Sequence, residues 1–351
     1  MRVERQKQLD DWCPSVPGLN AEAMVEAQKH VDNLTKPLGA LGRLEETLVR
    51  LAGITGKVVP SIDRKAVVVF CGDHGVTEEG VSAYPPEVTG LMIRNFCDGK
   101  AAVNAFARRF GAEVRVVDVG SRLTELPAGT LDRKVRAGTA NMAKGPAMRR
   151  EEAVQAIRVG LELALETKEK GFQLVAVGEM GIGNTTAATA VSASLTGTPI
   201  EELVGRGTGI NDVSLKMKGE VIRHSLDVNR PDPSDPVDVL TKVGGLELAA
   251  MTGFILGAAA ERLPMVIDGV ISTASALAAI RLAPGSRDYL FASHLSEEPA
   301  HRVLLEKLGL HPLIHAGMRL GEGSGAVLCF PLFDGAVAAA REMATFADLG
   351  L

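Results

Sequence analysis

The stretch 66-AVVVFCGDHG-75 decides how this chain is read. Ala66 to Phe70 are apolar and mostly β-branched, with no polar alternation, and turn-forming residues stop them at Cys71-Gly72-Asp73-His74-Gly75. A short unalternated apolar run of this kind predicts a strand buried on both faces, as in a parallel sheet. Downstream, Val114 to Val119 (VRVVDV) forms a second run, stopped by Gly120. Residues 151–170 (EEAVQAIRVGLELALETKEK) place acids first and lysines last, which complements a helix dipole; Gly171 ends the helix and Leu174 to Val177 (LVAV) follows as a third strand. Shorter candidates are Met265 to Ile267, Tyr289 to Ala292 and Leu313 to Ile314. Upstream, residues 1–58 read as helical, with Leu41, Leu44, Leu48 and Leu51 at helical spacing. Strands separated by helical stretches mean βαβ units. The expected fold is therefore α/β and Rossmann-like: an open parallel sheet with helices on both faces. The segment 227-DVNRPDPSDPVDV-239 reads as a loop or hinge.

A chain of 351 residues allows one large domain or two unequal ones. With 46% apolar and 23% charged residues the composition is globular, and a net charge of -5 gives no electrostatic case for nucleic acid or an anionic membrane as partner. The opening 1-MRVERQKQLDDW-12 lacks the apolar core of a signal peptide, and the longest uncharged apolar run, Leu248 to Ala260, is too short to span a bilayer. Cys13, Cys71, Cys97 and Cys329 form no CxxC pair, so reduced thiols in a cytoplasmic setting are expected. With neither HExxH nor a Cys/His cluster, no metal is expected.

Polar residues collect where the strands end. Asp73 and His74 follow the first, Gly120 the second, and Gly178, Glu179, Gly181 and Gly183 the third; Asp268-Gly269 and Ser293-His294 follow the later ones. Each end alone needs only turn formers. Together they predict a ligand site along the carboxyl edge of the sheet, where open α/β folds bind. The loop 178-GEMGIGNTTAATA-190 is the sharpest local signal. Its glycines let backbone N–H groups approach an anion, and Asn184 or Thr185 is placed to cap the helix that follows. It has neither the Gly-Lys-Ser/Thr of a Walker loop nor the GxGxxG order, and read alone it supports phosphate binding and simple tight geometry equally. A second loop, 205-GRGTGIND-212, is followed by Lys216 and Lys218, which default to solvated surface charge. In a third, 317-GMRLGEGSGA-326, Glu322 sits between glycines; spacing alone makes it an exposed turn glutamate. His74 and His294 read as structural, and Met92 and Phe96, at i and i+4, as packing.

The segments 35-TKPLGALGRLE-45, 71-CGDHGVTEEGVSAYPPEVT-89, 138-GTANMAKGPAM-148, 178-GEMGIGNTT-186, 205-GRGTG-209, 268-DG-269, 293-SHLSEEPAH-301 and 317-GMRLGEGSGA-326, in this order, resemble the nicotinate-nucleotide–dimethylbenzimidazole phosphoribosyltransferase family across residues 35–330. The resemblance implies a glycosyltransferase that moves 5-phosphoribosyl from nicotinate mononucleotide to a benzimidazole-type base, giving α-ribazole 5′-phosphate and nicotinate in cobalamin assembly. It implies no cofactor, a homodimer, and a catalytic domain over 60–330 with a small helical lobe from 1–59 and 331–351. By the same resemblance Glu322 is the general base. Gly181, Ile182, Gly183, Asn184, Thr185 and Thr186 hold the nucleotide, and Glu179 and Lys218 (or Lys216) line its pocket. Ser82 and 84-YPPEVTGLM-92 receive the base, with Leu320 and Gly321 beside the substrates. Gly90 stands where some members carry a glutamine that contacts the base.

Two rivals remain from the residues alone. A nucleotide-dependent dehydrogenase would need a glycine fingerprint at the first strand, where this chain has CGDHG. A non-catalytic nucleotide-binding regulator would have no need of Glu322.

Overall fold

The structure, a computed structural model, describes residues 12–350. Its centre is β1, Lys65–Gly72, buried along its whole length. Because side chains alternate across a strand, the two faces of β1 feed two cores. Ala66, Val68 and Phe70 face one and Val67, Val69 and Cys71 the other. Around β1 lie β2 (Ala112–Gly120), β3 (Leu131–Asp132), β4 (Leu174–Met180), β5 (Met265–Ile267) and β6 (Leu290–Ala292). Every pairing is parallel and the order is β3-β2-β1-β4-β5-β6. Strand order reverses between β1 and β4, and such a switch point opens a crevice at the carboxyl ends. The expected α/β architecture is the one found.

On one face pack helices α1 (Ala21–Asp32), α2 (Arg43–Thr55), α3 (Val88–Cys97) and α4 (Ala102–Phe110). The other face carries α5 (Arg150–Glu169), α6 (Asn184–Thr196), α7 (Ile200–Leu203), α8 (Asp212–Asn229), α9 (Pro236–Val243), α10 (Leu246–Ala260), α11 (Val270–Leu282) and α12 (Pro299–Leu308). The chain then returns to the first face with α13 (Ser324–Leu328) and α14 (Phe330–Glu342). Helix α10 is buried all round and, apart from Glu247 in its first turn and Thr252, apolar all round. It lies so close to α5 that a Cβ on Gly253 would stand 1.9 Å from the Ile157 carbonyl oxygen.

The helical reading of residues 1–58 falls partly on residues 1–11, outside the described residues, and within the rest it holds for α1 and α2 only. Between them Pro37, Gly39 and Gly42 break the path, both glycines having positive φ. The runs ending at Phe70 and Val177 extend further than their apolar residues, so Glu179 and Met180 belong to β4. Tyr289 lies in a 3-10 turn, and Ile314 makes only a single parallel bridge, to His294, rather than a strand. Residues 324–342 have the length and apolarity of a membrane span, but 56% of that stretch is buried inside the fold and α13 and α14 divide it. A segment after α1 meets the end of the described chain: Leu34 bridges Thr345, and Thr35 donates its N–H to the Ala344 carbonyl at 3.0 Å.

Candidate active site

A cavity of about 380 Å³ opens over the carboxyl ends of β4, β5 and β6, walled on one side by the segment after β1 that carries Val81 and Ser82. Its floor is the turn from β4 into α6. Gly183 starts that helix with φ +96°, which glycine adopts without strain, and no side chain caps it. Asn184 and Thr185 therefore do not cap as expected. The Asn184 amide turns back and donates to the Glu179 carboxylate, and the Thr185 hydroxyl accepts from Lys218 Nζ at 2.8 Å. The N–H groups of Ile182, Asn184 and Thr186 are committed to Thr89 Oγ1, Gly181 O and Gly183 O. Those of Gly183 and Thr185 have no acceptor among the described residues. Two free N–H groups at a helix start suit an anion.

Of the residues expected in the site, Ser82, Glu179, Gly181, Ile182, Gly183, Asn184, Thr185, Leu320, Gly321 and Glu322 line the cavity. Thr186 and Lys218 do not; both are buried one layer behind the loop. Burial also separates the two lysines, since Lys216 is exposed and Lys218 is 1% exposed. Besides Thr185, Lys218 Nζ donates to Gly205 O at 3.0 Å. Burial pulls its pKa down to about 8 against the opposing charge of Glu298. The expected wall 84–92 contributes Tyr84, Val88 and Met92, so Met92 is a wall residue as well as a packing one, while Phe96 is core. Gly90 is not in the wall. A Cβ there would point at Leu123, 2.7 Å away, because that side of α3 faces its neighbour and not the cavity.

Glu322 lines the same cavity as the β4–α6 turn. The turn Gly321-Glu322-Gly323 has three successive positive φ values, 87°, 67° and 81°. Far from being an exposed turn residue, Glu322 is 8% exposed. Its Oε2 is buried with no hydrogen-bond partner. Burial, and then the charge of Asp268, push its pKa up to about 7. Glu179 has its pKa pushed up to about 8 by burial and by the charges of Asp268, Glu247 and Glu322. Asp268, Glu298 and Arg319 also line the cavity, and the sequence assigned them no role. The positions after β5 and β6 were a signal for the first two; nothing local marked Arg319. His74 fits its structural reading, with Nε2 2.6 Å from Glu247 Oε1 beneath the site. His294 bonds Ser293 Oγ at 2.9 Å and forms part of the cavity wall.

A family model described as phosphoribosyltransferase matches residues 16–351. The chain belongs to this phosphoribosyltransferase family. Among its relatives is the nicotinate-nucleotide–dimethylbenzimidazole phosphoribosyltransferase of Geobacter sulfurreducens, 52% identical over 345 residues, covering 98% of this chain and 97% of that protein. The protein of the same name from Ruminiclostridium cellulolyticum is 51% identical over 340 residues, 97% of each chain. Two crystal structures from Thermus thermophilus superpose closely. One, of the enzyme with that name, has a TM-score of 0.89 at 48% identity and covers 95% of this chain and 99% of its own. The other, of CobT, has a TM-score of 0.90 at 50% identity and covers 94% and 99%. The phosphoribosyltransferase family is a transferase family, and the dehydrogenase reading falls.

Proposed function

We propose that this protein transfers the 5-phosphoribosyl group of nicotinate mononucleotide to 5,6-dimethylbenzimidazole or a related base. The products are α-ribazole 5′-phosphate and nicotinate, and the step serves cobalamin nucleotide-loop assembly. One observation carries the reading: a buried, unpartnered carboxylate oxygen of Glu322 lies across one cavity from a helix start with two free N–H groups. The chemistry asks for that pair. The pyridinium of nicotinate mononucleotide leaves C1′ as a neutral ring and needs no acid. The attacking benzimidazole must lose the proton on its second nitrogen, so a single base suffices, and attack opposite the leaving group inverts the β-anomer to the α-anomer. In this reading the Gly183 and Thr185 N–H groups hold the phosphate, with Lys218 acting through Thr185. Ser82, Tyr84, Val88 and Met92 receive the base. A non-catalytic regulator would have no use for the raised basicity of Glu322. The meeting of Leu34 with Thr345 supports treating 1–59 and 331–351 as a small lobe on a 60–330 catalytic body. The resemblance adds a homodimer, and the sequence a cytoplasmic setting.

Incubation of the pure protein with nicotinate mononucleotide and dimethylbenzimidazole tests the proposal. Free nicotinate should appear in step with α-ribazole phosphate. Nucleotide binding without nicotinate release would leave a regulator instead of an enzyme.

A further inference from the structure

We infer that Asp268 is the positioning residue for Glu322: its carboxylate clamps the turn that carries Glu322 and aims the glutamate into the cavity. The inference rests on Glu322 being the base. Asp268 follows β5 directly, and β5 is held between β4 and β6, so its backbone is fixed by the sheet. Its two oxygens are both engaged across the fold. Oδ2 accepts the Gly323 N–H at 3.1 Å and Oδ1 the Ala326 N–H at 2.9 Å. Gly323 is the N-cap of α13 and Ala326 lies in its first turn, where N–H groups have no acceptor within a helix. Side chains of α13 itself do not cap it.

The turn needs such a clamp. Glu322 has φ +67°, a region that a residue with a Cβ occupies only when its surroundings enforce it. On the far side the sheet supplies the counter-surface. A Cβ on Gly178 would stand 2.4 Å from the Glu322 carbonyl carbon, and one on Gly323 would stand 2.6 Å from Val67 Cγ2. Between the sheet below and Asp268 beside it, the turn has one place to be.

The same carboxylate acts on Glu322 through space. The charged and titratable groups that share the cavity with Glu322 are Tyr84, Glu179 at the end of β4, Asp268 after β5, His294 and Glu298 after β6 and Arg319 on its own loop, with His294 Nδ1 3.9 Å from Asp268 Oδ1. Among them Asp268 is the charge that adds to burial in raising the basicity of Glu322. During transfer the benzimidazole N–H bond breaks, its electron pair stays in the ring, and the proton passes to Glu322 Oε. Asp268 takes no proton and touches no reacting atom in this step; it makes Glu322 a better acceptor by place and by charge.

Asp268→Asn tests this. It removes the charge and sets an amide N–H₂ against one of the two backbone N–H groups. The single-turnover rate should fall about 100-fold, as for an ångström of misplacement at a reacting centre. The acid limb of kcat/KM for the base should move to lower pH, because Glu322 loses the charge that raised it. Protonation of the substrates is common to all variants, so the displacement between variants is what is read. Affinity for nicotinate mononucleotide by calorimetry should stay within about threefold, or about 0.7 kcal/mol. Glu322→Gln and the double variant should run at the same slow rate. A native rate, or an unmoved acid limb, in Asp268→Asn overturns the inference. A native rate in Glu322→Gln instead removes the base, and the inference with it. Should Asp268→Asn not fold, Asp268→Glu keeps the charge and lengthens the arm; it should be slow with a native acid limb, and a native rate would overturn the clamp.

Discussion

A glutamate of ordinary acidity is a feeble base at neutral pH; one whose conjugate acid titrates near 7 is matched to the task. Burial and Asp268 give Glu322 that property, with a pKa of about 7. General-base catalysis typically contributes about 10²- to 10⁴-fold, so Glu322→Gln should lose roughly that factor in single turnover while nucleotide affinity stays unchanged. A variant within about threefold of the native rate would remove Glu322 from the mechanism. Since only the ionised carboxylate accepts a proton, kcat/KM for the base should climb as pH rises through about 7 and level off above it. A profile flat from pH 5 to 8 would contradict the assignment. At this scale the sequence was legible in part. The glycines around Glu322 announce backbone freedom, but whether a turn residue is buried depends on what packs over it, and here Gly178 in β4 and Asp268 just after β5 come from far away in sequence. Gly90 shows the same limit: helical phase alone does not say which neighbour, Leu123 or the cavity, a face meets.

Elements, in this molecule, are set by where they touch without side chains between them. Helices α5 and α10 meet through Gly160 and Gly253, each with a carbonyl oxygen 1.9 Å from where a Cβ would be. Gly253→Ala should therefore force the pair apart and lower stability by about 1–3 kcal/mol or more in urea unfolding. An unchanged midpoint would mean that the helices separate at no cost. Strand β4 and the Glu322 turn touch in the same manner at Gly178. Gly178→Ala should cut turnover by about 10-fold or more through displacement of the base, with nucleotide affinity by calorimetry nearly native. Equal losses in both would show that the change reaches the loop as well. Gly183 is a poor probe of phosphate approach by contrast, since its positive φ and its closeness to Thr77 and His74 make any side chain there a strain on the loop itself. The α6 start was legible as a tight glycine turn leading from a strand into a helix. That Asn184 serves Glu179 instead of the helix end was not, because that choice depends on a carboxylate whose orientation only packing fixes.

For the whole molecule, the buried carboxyl groups set how stability depends on pH. Glu179 has its pKa raised from 4.5 to about 8. The folded chain thus keeps a proton that the unfolded chain releases once pH exceeds about 4.5, so stability is lost as pH rises from there until Glu179 ionises near 8. Glu179→Gln should lessen the drop in unfolding midpoint between pH 5.5 and 8; an identical drop in both proteins would show that Glu179 is ionised in the fold throughout. The overall architecture was legible because the major strands are apolar on both faces and cannot be read as anything exposed. What escaped was what has no such signature: β3, with two residues at the sheet edge, and the bridge at Ile314, where a strand was expected. The placement of the Glu322 turn has a consequence for how the protein comes into being. Synthesis runs from the N-terminus, so the wall around Ser82 and the loop at Gly183 leave the ribosome well before Glu322 does. Until that late turn seats itself against Gly178 and Val67, a growing chain lacks the buried carboxylate that completes the cavity wall. The cavity is therefore completed only by one of the last segments to be synthesised, across a long separation in sequence.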